Sequence, residues 1–120
     1  MSDTPLWFRD LDGSITIKAP SETRFPVLDL SGGLSIAGPT GLITGYTTIT
    51  GTPTVAVTSG DMVVTPGSVQ AVTGAGGANT AVLWEVTGGT AGTPAQFTVT
   101  ANGADGRVIV QTVWLQCGVR

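Results

Sequence analysis

The sequence contains no histidine, and its 120 residues include a single cysteine, Cys117. Histidine is the commonest general base and metal ligand in proteins, and a thiolate metal cluster needs several cysteines. These absences argue against an enzyme, and we expect neither a cofactor nor a metal ion. Because one cysteine forms no disulfide within its own chain, we interpret Cys117 as a reduced structural thiol, with an intersubunit contact or a reactive thiol as the alternatives.

Charge is also scarce, at 11% of the residues, whereas a typical globular domain has about 25%. The five basic residues are scattered and the net charge is −3, so the basic stripe of a nucleic-acid-binding surface is absent. No apolar run approaches the roughly 18 residues of a transmembrane helix, and the N-terminus lacks the regions of a signal peptide. We therefore expect no nucleic-acid or membrane partner, and retention in the compartment of synthesis. The low charge also predicts that neighbouring molecules cover part of the surface.

Eighteen glycines and seven prolines divide the chain into short segments rich in threonine and valine. These breaks predict about seven to nine short strands, spaced roughly 8–12 residues apart. No segment shows a helical period. This spacing of short strands is typical of an antiparallel β-sandwich or barrel. We predict one all-β domain over residues 25–120, preceded by an N-terminal arm over residues 1–24.

The stretch from Thr80 to Leu115 carries the strongest strand patterns. A strand over 80–87 places Val82, Trp84 and Val86 on one face, and apolar residues alternate with threonine in 97–101. The Asn-Gly and Asp-Gly pairs of 102–106 predict a hairpin loop. The return strand, 107–115, has apolar residues on both faces, so either it is central and covered on both sides or a bulge near Gln111 changes its register. The core residues predicted for this stretch are Trp84, Phe97, Val99 and Trp114.

The N-terminal arm differs from the rest because most of the charged residues lie in the first 29 positions. Trp7 and Phe8 are surrounded by these charges, and a free domain rarely exposes two large rings. Either the rings close one end of the sandwich or they anchor the arm in a neighbouring subunit, with Arg9 in the same anchor. Trp7, Phe8 and Arg9 are therefore the predicted partner-binding residues. The alternation in 14–18 predicts a short strand within the arm.

Two short motifs resemble ligand sites without completing them. Asp10-Leu11-Asp12-Gly13 begins like a calcium loop, but the downstream bidentate glutamate is missing, so a solvated turn is the better interpretation. The glycine-rich run at 74–77 is not followed by the Gly-Lys-Ser/Thr of a phosphate loop. With no catalytic group in view, we expect no small-molecule substrate.

One segment resembles a known family. The run Val82–Thr93, followed by Phe97–Thr100 and a turn ending in Gly106-Arg107, is similar to a pattern in small bacteriophage virion proteins, the Ig-like fiber–tail adaptors. The resemblance covers roughly residues 27–114, and its specific part is 82–107. Three departures stand out. Glu85-Val86-Thr87 replaces a shorter Leu-Ser link, Pro94-Ala95 interrupts the following strand, and the charged N-terminal arm has no counterpart in the pattern.

The resemblance implies an Ig-like antiparallel β-sandwich and a non-enzymatic structural role. It implies an adaptor that links tail fibers to the tail or portal complex as part of a multi-copy ring. Its partners would be other virion proteins and copies of itself, in the tail region of a virion assembled in the host bacterial cytoplasm. The alternative is a capsid decoration or surface Ig-like module that binds carbohydrate, with Tyr46 and Trp7 as the candidate aromatic contacts.

Overall fold

The computed structural model of the chain describes residues 6–9, 12, 14–30, 36, 37, 48–74, 76–104, 106 and 108–118. Within these ranges the chain is all-β, as the composition predicts, and it forms eleven strands, more than the predicted seven to nine. None of the described segments is a helix with the length and apolar character needed to cross a membrane. The strands are β1 (Leu6–Phe8), β2 (Ile17–Lys18), β3 (Val27–Asp29), β4 (Ile36–Ala37), β5 (Ile49–Ser59), β6 (Met62–Val64), β7 (Gln70–Gly74), β8 (Gly77–Leu83), β9 (Val86–Gly88), β10 (Ala95–Gly103) and β11 (Val108–Cys117).

The strands divide between two main sheets. The larger has the order β4-β1-β11-β10-β5, with β2 paired to the end of β11, and the smaller has the order β3-β8-β7. A separate pair joins β6 to β9. Named by position, β5, β10 and β11 correspond to strands C, F and G of an immunoglobulin-like sandwich, and β3, β8 and β7 to strands B, E and D. The chain is thus a β-sandwich with Ig-like strand order.

The core lies between the sheets and is centred on aromatic rings. The ring centroids of Trp84 lie 5.8 Å from those of Phe8 and 5.5 Å from those of Phe97, both in tilted contacts. Trp84 and Phe97 are fully buried, and Val99 is buried beside them, as their alternation in the sequence predicts. Such tilted ring pairs stabilise a core beyond the area that they bury.

The break between β8 and β9 was not predicted, because 80–87 alternates as one uninterrupted strand. In the structure, the chain leaves the smaller sheet at Trp84, whose backbone N–H donates to the Pro26 carbonyl at 3.2 Å. Val86 then exchanges backbone hydrogen bonds with Arg24, at 2.9 and 3.0 Å, and β9 joins β6. The inward direction of the alternating side chains is kept across the break, so Trp84 still enters the core.

The return strand β11 is central and pairs with β10 without a register shift from Ala95 to Asn102. Its inner residues Val113 and Leu115 lie in the core. The predicted core position of Trp114 is corrected: Trp114 is only half-buried, because strand alternation places it on the opposite face from its two neighbours. No bulge changes the register, and on the outer face Val108 and Val110 are 64% and 60% exposed.

The described part of the N-terminal arm folds onto the sandwich. Strand β1 pairs in parallel with β11, placing Leu6 opposite Val113 and Trp7 opposite Trp114, and β2 also pairs in parallel with β11. Of the two predicted arrangements of the arm, these residues adopt the one that covers their own domain. The sequence predicts an antiparallel sandwich, and the parallel pairings of β1 and β2 with β11 were not predicted.

Lys18 is the buried residue of the predicted 14–18 strand. Only Ile17–Lys18 is a strand, and Ile15, expected on an apolar face, is 37% exposed. The fully buried Lys18 donates through Nζ to three backbone carbonyls, those of Ala19 at 2.9 Å, Pro20 at 3.4 Å and Gly88 at 2.5 Å. These bonds satisfy the ammonium group in a site closed to water, as a buried charge requires. They also tie β2 to the end of β9.

Candidate interaction face

One face of the larger sheet points away from the core. We call it the threonine face: it comprises Trp7 and the alternate residues of β5 from Thr50 to Thr58, of β10 from Gln96 to Asn102 and of β11 from Val108 to Gln116. Since successive strand residues point to opposite sides, these positions share one surface. They alternate with buried partners such as Phe97 and Val99.

Cross-strand register brings similar side chains together on this face. Thr98 lies opposite Thr112 on one side and Ala56 on the other. Thr100 lies between Val110 and Thr54 in the same way. The centre of the face therefore consists of hydroxyl and methyl groups at the regular spacings of a sheet.

Side-chain hydrogen bonds link β5 to β10 and order the amide groups at the tryptophan end of the face. The Thr58 hydroxyl donates to the Gln96 side-chain oxygen at 3.0 Å and lies 3.5 Å from the Thr98 hydroxyl. Gln116 donates from Nε2 to the Cys117 carbonyl at 2.9 Å. These bonds hold the amide groups in place, so the face presents a pre-ordered polar surface.

The described positions of the threonine face carry no charged residue. An antiparallel sheet with one solvated face usually alternates apolar residues inside with polar and charged residues outside. Here Val108 and Val110, the most exposed large apolar residues of the described chain, lie on the outer face instead. This composition is typical of a surface that another uncharged surface covers.

Trp7 and Trp114 form a stacked pair at one end of the face. Their ring centroids are 5.5 Å apart and their planes differ by 23°. Both side chains are half-buried. Sequence reasoning selected Trp7 and missed its neighbour, because apolar residues at both parities of β11 gave no signal for which face is the outer one.

The three predicted partner-binding residues do not share one surface. Phe8 follows Trp7 in β1 and so points to the opposite side, where it is buried against Trp84. Arg9 is half-buried and forms an antiparallel bridge with Ile15. Phe8 thus belongs to the core, and of the predicted set Trp7 lies on the threonine face. Tyr46, the other predicted carbohydrate contact, lies outside the described residues.

A small cleft opens between β1 and the chain that precedes β3. It encloses about 120 Å³ and is lined by Phe8, Thr16, Arg24, Phe25, Pro26 and Leu115. Ligand pockets for small molecules usually enclose about 300–1,000 Å³, so this cleft has room for little more than one side chain. The Arg24 guanidinium at its edge donates to the Ile17 carbonyl at 3.3 Å and lies 3.8 Å from a Glu22 carboxylate oxygen.

The partial calcium motif forms a local turn where the structure describes it. The Asp12 carboxylate accepts hydrogen bonds from the Ser14 backbone N–H at 2.9 Å and from the Ser14 hydroxyl at 2.6 Å. Asp10, Leu11 and Gly13 lie outside the described residues. Among the described residues, no three His, Cys, Asp or Glu side chains come together to hold a metal ion.

Replacing Ser14 by alanine will raise the pKa of Asp12 toward its usual value. The Ser14 hydroxyl and backbone N–H stabilise the charged carboxylate, and they lower the pKa of Asp12 below its ordinary 3.8. A carboxylate with a lowered folded-state pKa contributes stability above its unfolded pKa, and this contribution is lost as the pH falls through the folded pKa. Carboxyl NMR titration measures the shift. Ser21→Ala is the control, and an Asp12 pKa equal in the wild type and Ser14→Ala would contradict the assignment.

Comparison of the chain with protein-family models, with curated proteins and with solved structures found no match.

Proposed function

We propose that this chain is a non-enzymatic structural protein of a bacteriophage virion, an adaptor that links tail fibers to the tail or portal complex as part of a multi-copy ring. The observation that carries the proposal is the uncharged threonine face with the Trp7–Trp114 pair at its end. The resemblance of residues 82–107 to fiber–tail adaptors supports it.

The composition of the threonine face favours protein contact. The centres of protein interfaces are depleted of charged residues and enriched in tryptophan, which is the composition of this surface. Trp114 and Val110 expose apolar area on a rigid central strand, so a partner that binds there orders few flexible groups. A ring of identical copies would multiply weak contacts between each copy and the tail through their high effective concentration.

The partners in this proposal are other virion proteins, namely tail, portal-adaptor or fiber proteins, together with copies of the chain itself. The location is the tail region of the virion, after assembly in the host bacterial cytoplasm. Cys117 is buried in the core, which suits a reduced structural thiol in that compartment. The proposal involves no cofactor, nucleic acid, membrane or small-molecule substrate.

The test is to locate the chain in purified phage particles from a host that expresses it. Mass spectrometry of the particles will detect the chain, and cryo-electron microscopy will place its density in a ring at the tail or portal. Particles without the chain contradict the proposal as a whole. Copies distributed over the capsid shell contradict the adaptor role and support the alternative below.

The second candidate function is a capsid decoration or surface module that binds carbohydrate. The stacked Trp7–Trp114 pair favours it, because aromatic rings beside amide groups suit the apolar and hydroxyl faces of a neutral sugar. Gln96 lies opposite Trp114 in the sheet and supplies such an amide group. Binding of neutral oligosaccharides that Trp114→Ala abolishes would support this function over the adaptor.

A further inference from the structure

We infer that the threonine face packs against the same face of a second copy of this chain. The two-fold axis lies in the plane between the two faces and runs perpendicular to the strands. The inference rests on the composition and geometry of the face. It rests on the proposed function and names a second copy as the occupant of the threonine face, and sedimentation tests it separately from the location of the chain in particles.

Charge is the first argument for a second copy as the occupant. Nucleic acids, anionic membranes and acidic or basic peptides all need counter-charges, and the described positions of the threonine face offer none. Lys18 is hydrogen-bonded to the end of β9, and Glu22 and Asp61 lie outside the strands of the face. Two identical uncharged faces approach without burying an unpaired charge, which makes the face complementary to itself.

The distribution of apolar groups selects the orientation. Val108 and Val110 lie at one end of β11, and Trp114, with Trp7 beside it, lies toward the other, roughly 14–20 Å away at the rise of a strand. A two-fold axis across the strands places β11 over β11 in opposite directions. The valine end of each copy then covers the tryptophan end of the other, and the threonine rows meet in the middle.

The size of the face sets the expected strength. Three strands about 4.8 Å apart and about nine residues of about 3.4 Å each give a projected footprint of roughly 15 Å by 30 Å. That footprint of roughly 450 Å² is below the about 800 Å² per partner of a standard stable interface. We therefore expect a weak dimer that forms with rising concentration.

Self-packing also accounts for the apolar residues on both faces of β11. Val113 and Leu115 are covered by the core of the same chain, whereas Val108 and Val110 are left exposed. A central strand with apolar residues on both faces is usual where both faces are covered. A second copy supplies the missing cover.

The experiment is sedimentation velocity of the full chain from micromolar to millimolar concentration, with the emission wavelength of its tryptophans as a second measurement. The wild type is expected to pass from monomer to dimer, with a blue shift as Trp7 and Trp114 lose contact with water. Val110→Lys will raise the dissociation constant by about tenfold or more, because it places a charge against an uncharged surface in each copy.

The matched control is Val63→Lys. Val63 is 55% exposed, close to Val110 at 60%, but it lies on β6, outside the threonine face. Thermal unfolding will check that both variants fold, and Thr54→Lys, also exposed on the face, replaces Val110→Lys if the latter does not fold.

Three outcomes overturn the inference. They are a wild type that stays monomeric at all concentrations, an equal weakening by Val63→Lys and Val110→Lys, and an oligomer that Val110→Lys leaves intact. A monomer that binds a neutral oligosaccharide or another virion protein through this face assigns the face to that ligand instead. Particles that hold the chain in a ring at the tail with this face against another virion protein leave the proposed function standing and refute the self-packing.

Discussion

Replacing Trp84 by alanine will lower the free energy of unfolding by about 3–5 kcal/mol, as large-to-small substitutions of buried aromatic residues do. The side chain is fully buried and contacts the rings of Phe8 on β1 and Phe97 on β10, the two strands that flank β11 in the larger sheet. Its removal leaves a cavity that β1 and β10 line together, so the attachment of the N-terminal strand weakens as well. Urea unfolding followed by circular dichroism measures the change.

The matched variant is Trp84→Phe, which keeps a ring in the same place. The indole Nε1 of Trp84 is buried and has no hydrogen-bond partner among the described residues, so phenylalanine loses apolar volume but no hydrogen bond. We expect a cost of about 1–2 kcal/mol from the ring atoms removed. Equal costs for the phenylalanine and alanine variants would show that the indole group itself, and not the volume of the ring, holds the core.

Replacing Gly60 by alanine will cost about 2–5 kcal/mol, the sum of backbone strain and a steric clash. Gly60 lies in the turn between β5 and β6 with φ at +87°, a conformation that side chains with a Cβ rarely adopt. A Cβ at this position would lie 2.6 Å from the Pro94 carbonyl oxygen and 2.9 Å from the Ala95 Cα. Both are backbone atoms at the start of β10, so relief requires the strand to move.

Gly92 provides the control for the clash. Its φ is +88°, almost equal to that of Gly60, but a Cβ there would have no heavy atom within 4 Å. Gly92→Ala therefore carries the backbone strain alone, about 1–2 kcal/mol. The difference between the two variants in urea unfolding measures the clash, and equal losses would show that the turn and β10 are not packed as closely as the structure has them.

Local patterns predicted much of the fold. The Asn-Gly and Asp-Gly pairs of 102–106 mark a hairpin that the structure forms between β10 and β11, where the Gly106 N–H donates to the Gly103 carbonyl at 3.0 Å. Alternation placed Phe97 and Val99 in the core because threonines occupy the opposite parity, and Trp84 was placed there on the parity of Val82 and Val86. These signals depend on neighbours a few residues apart, which a sequence displays directly.

The candidate site was only partly predictable. Trp7 was selected for its size among charged neighbours, but its partner Trp114 was assigned to the core. The reason is that β11 has apolar residues at both parities, so periodicity did not distinguish the core face from the outer face. Lys18 was missed for a related reason, since a lysine in a short alternating segment is normally solvated, and only three converging carbonyls make its burial favourable.

By itself, the sequence determined the all-β class, the strand-rich last third, the low charge and the side of each strongly alternating strand. The tertiary structure alone decided which strands share a sheet, that β1 pairs in parallel with β11 and that Trp7 stacks on Trp114. Side-chain alternation is a property of a few consecutive residues, whereas strand pairing joins residues from opposite ends of the chain. Those pairings depend on which apolar surfaces bury each other best, and that competition is settled only when the whole core packs.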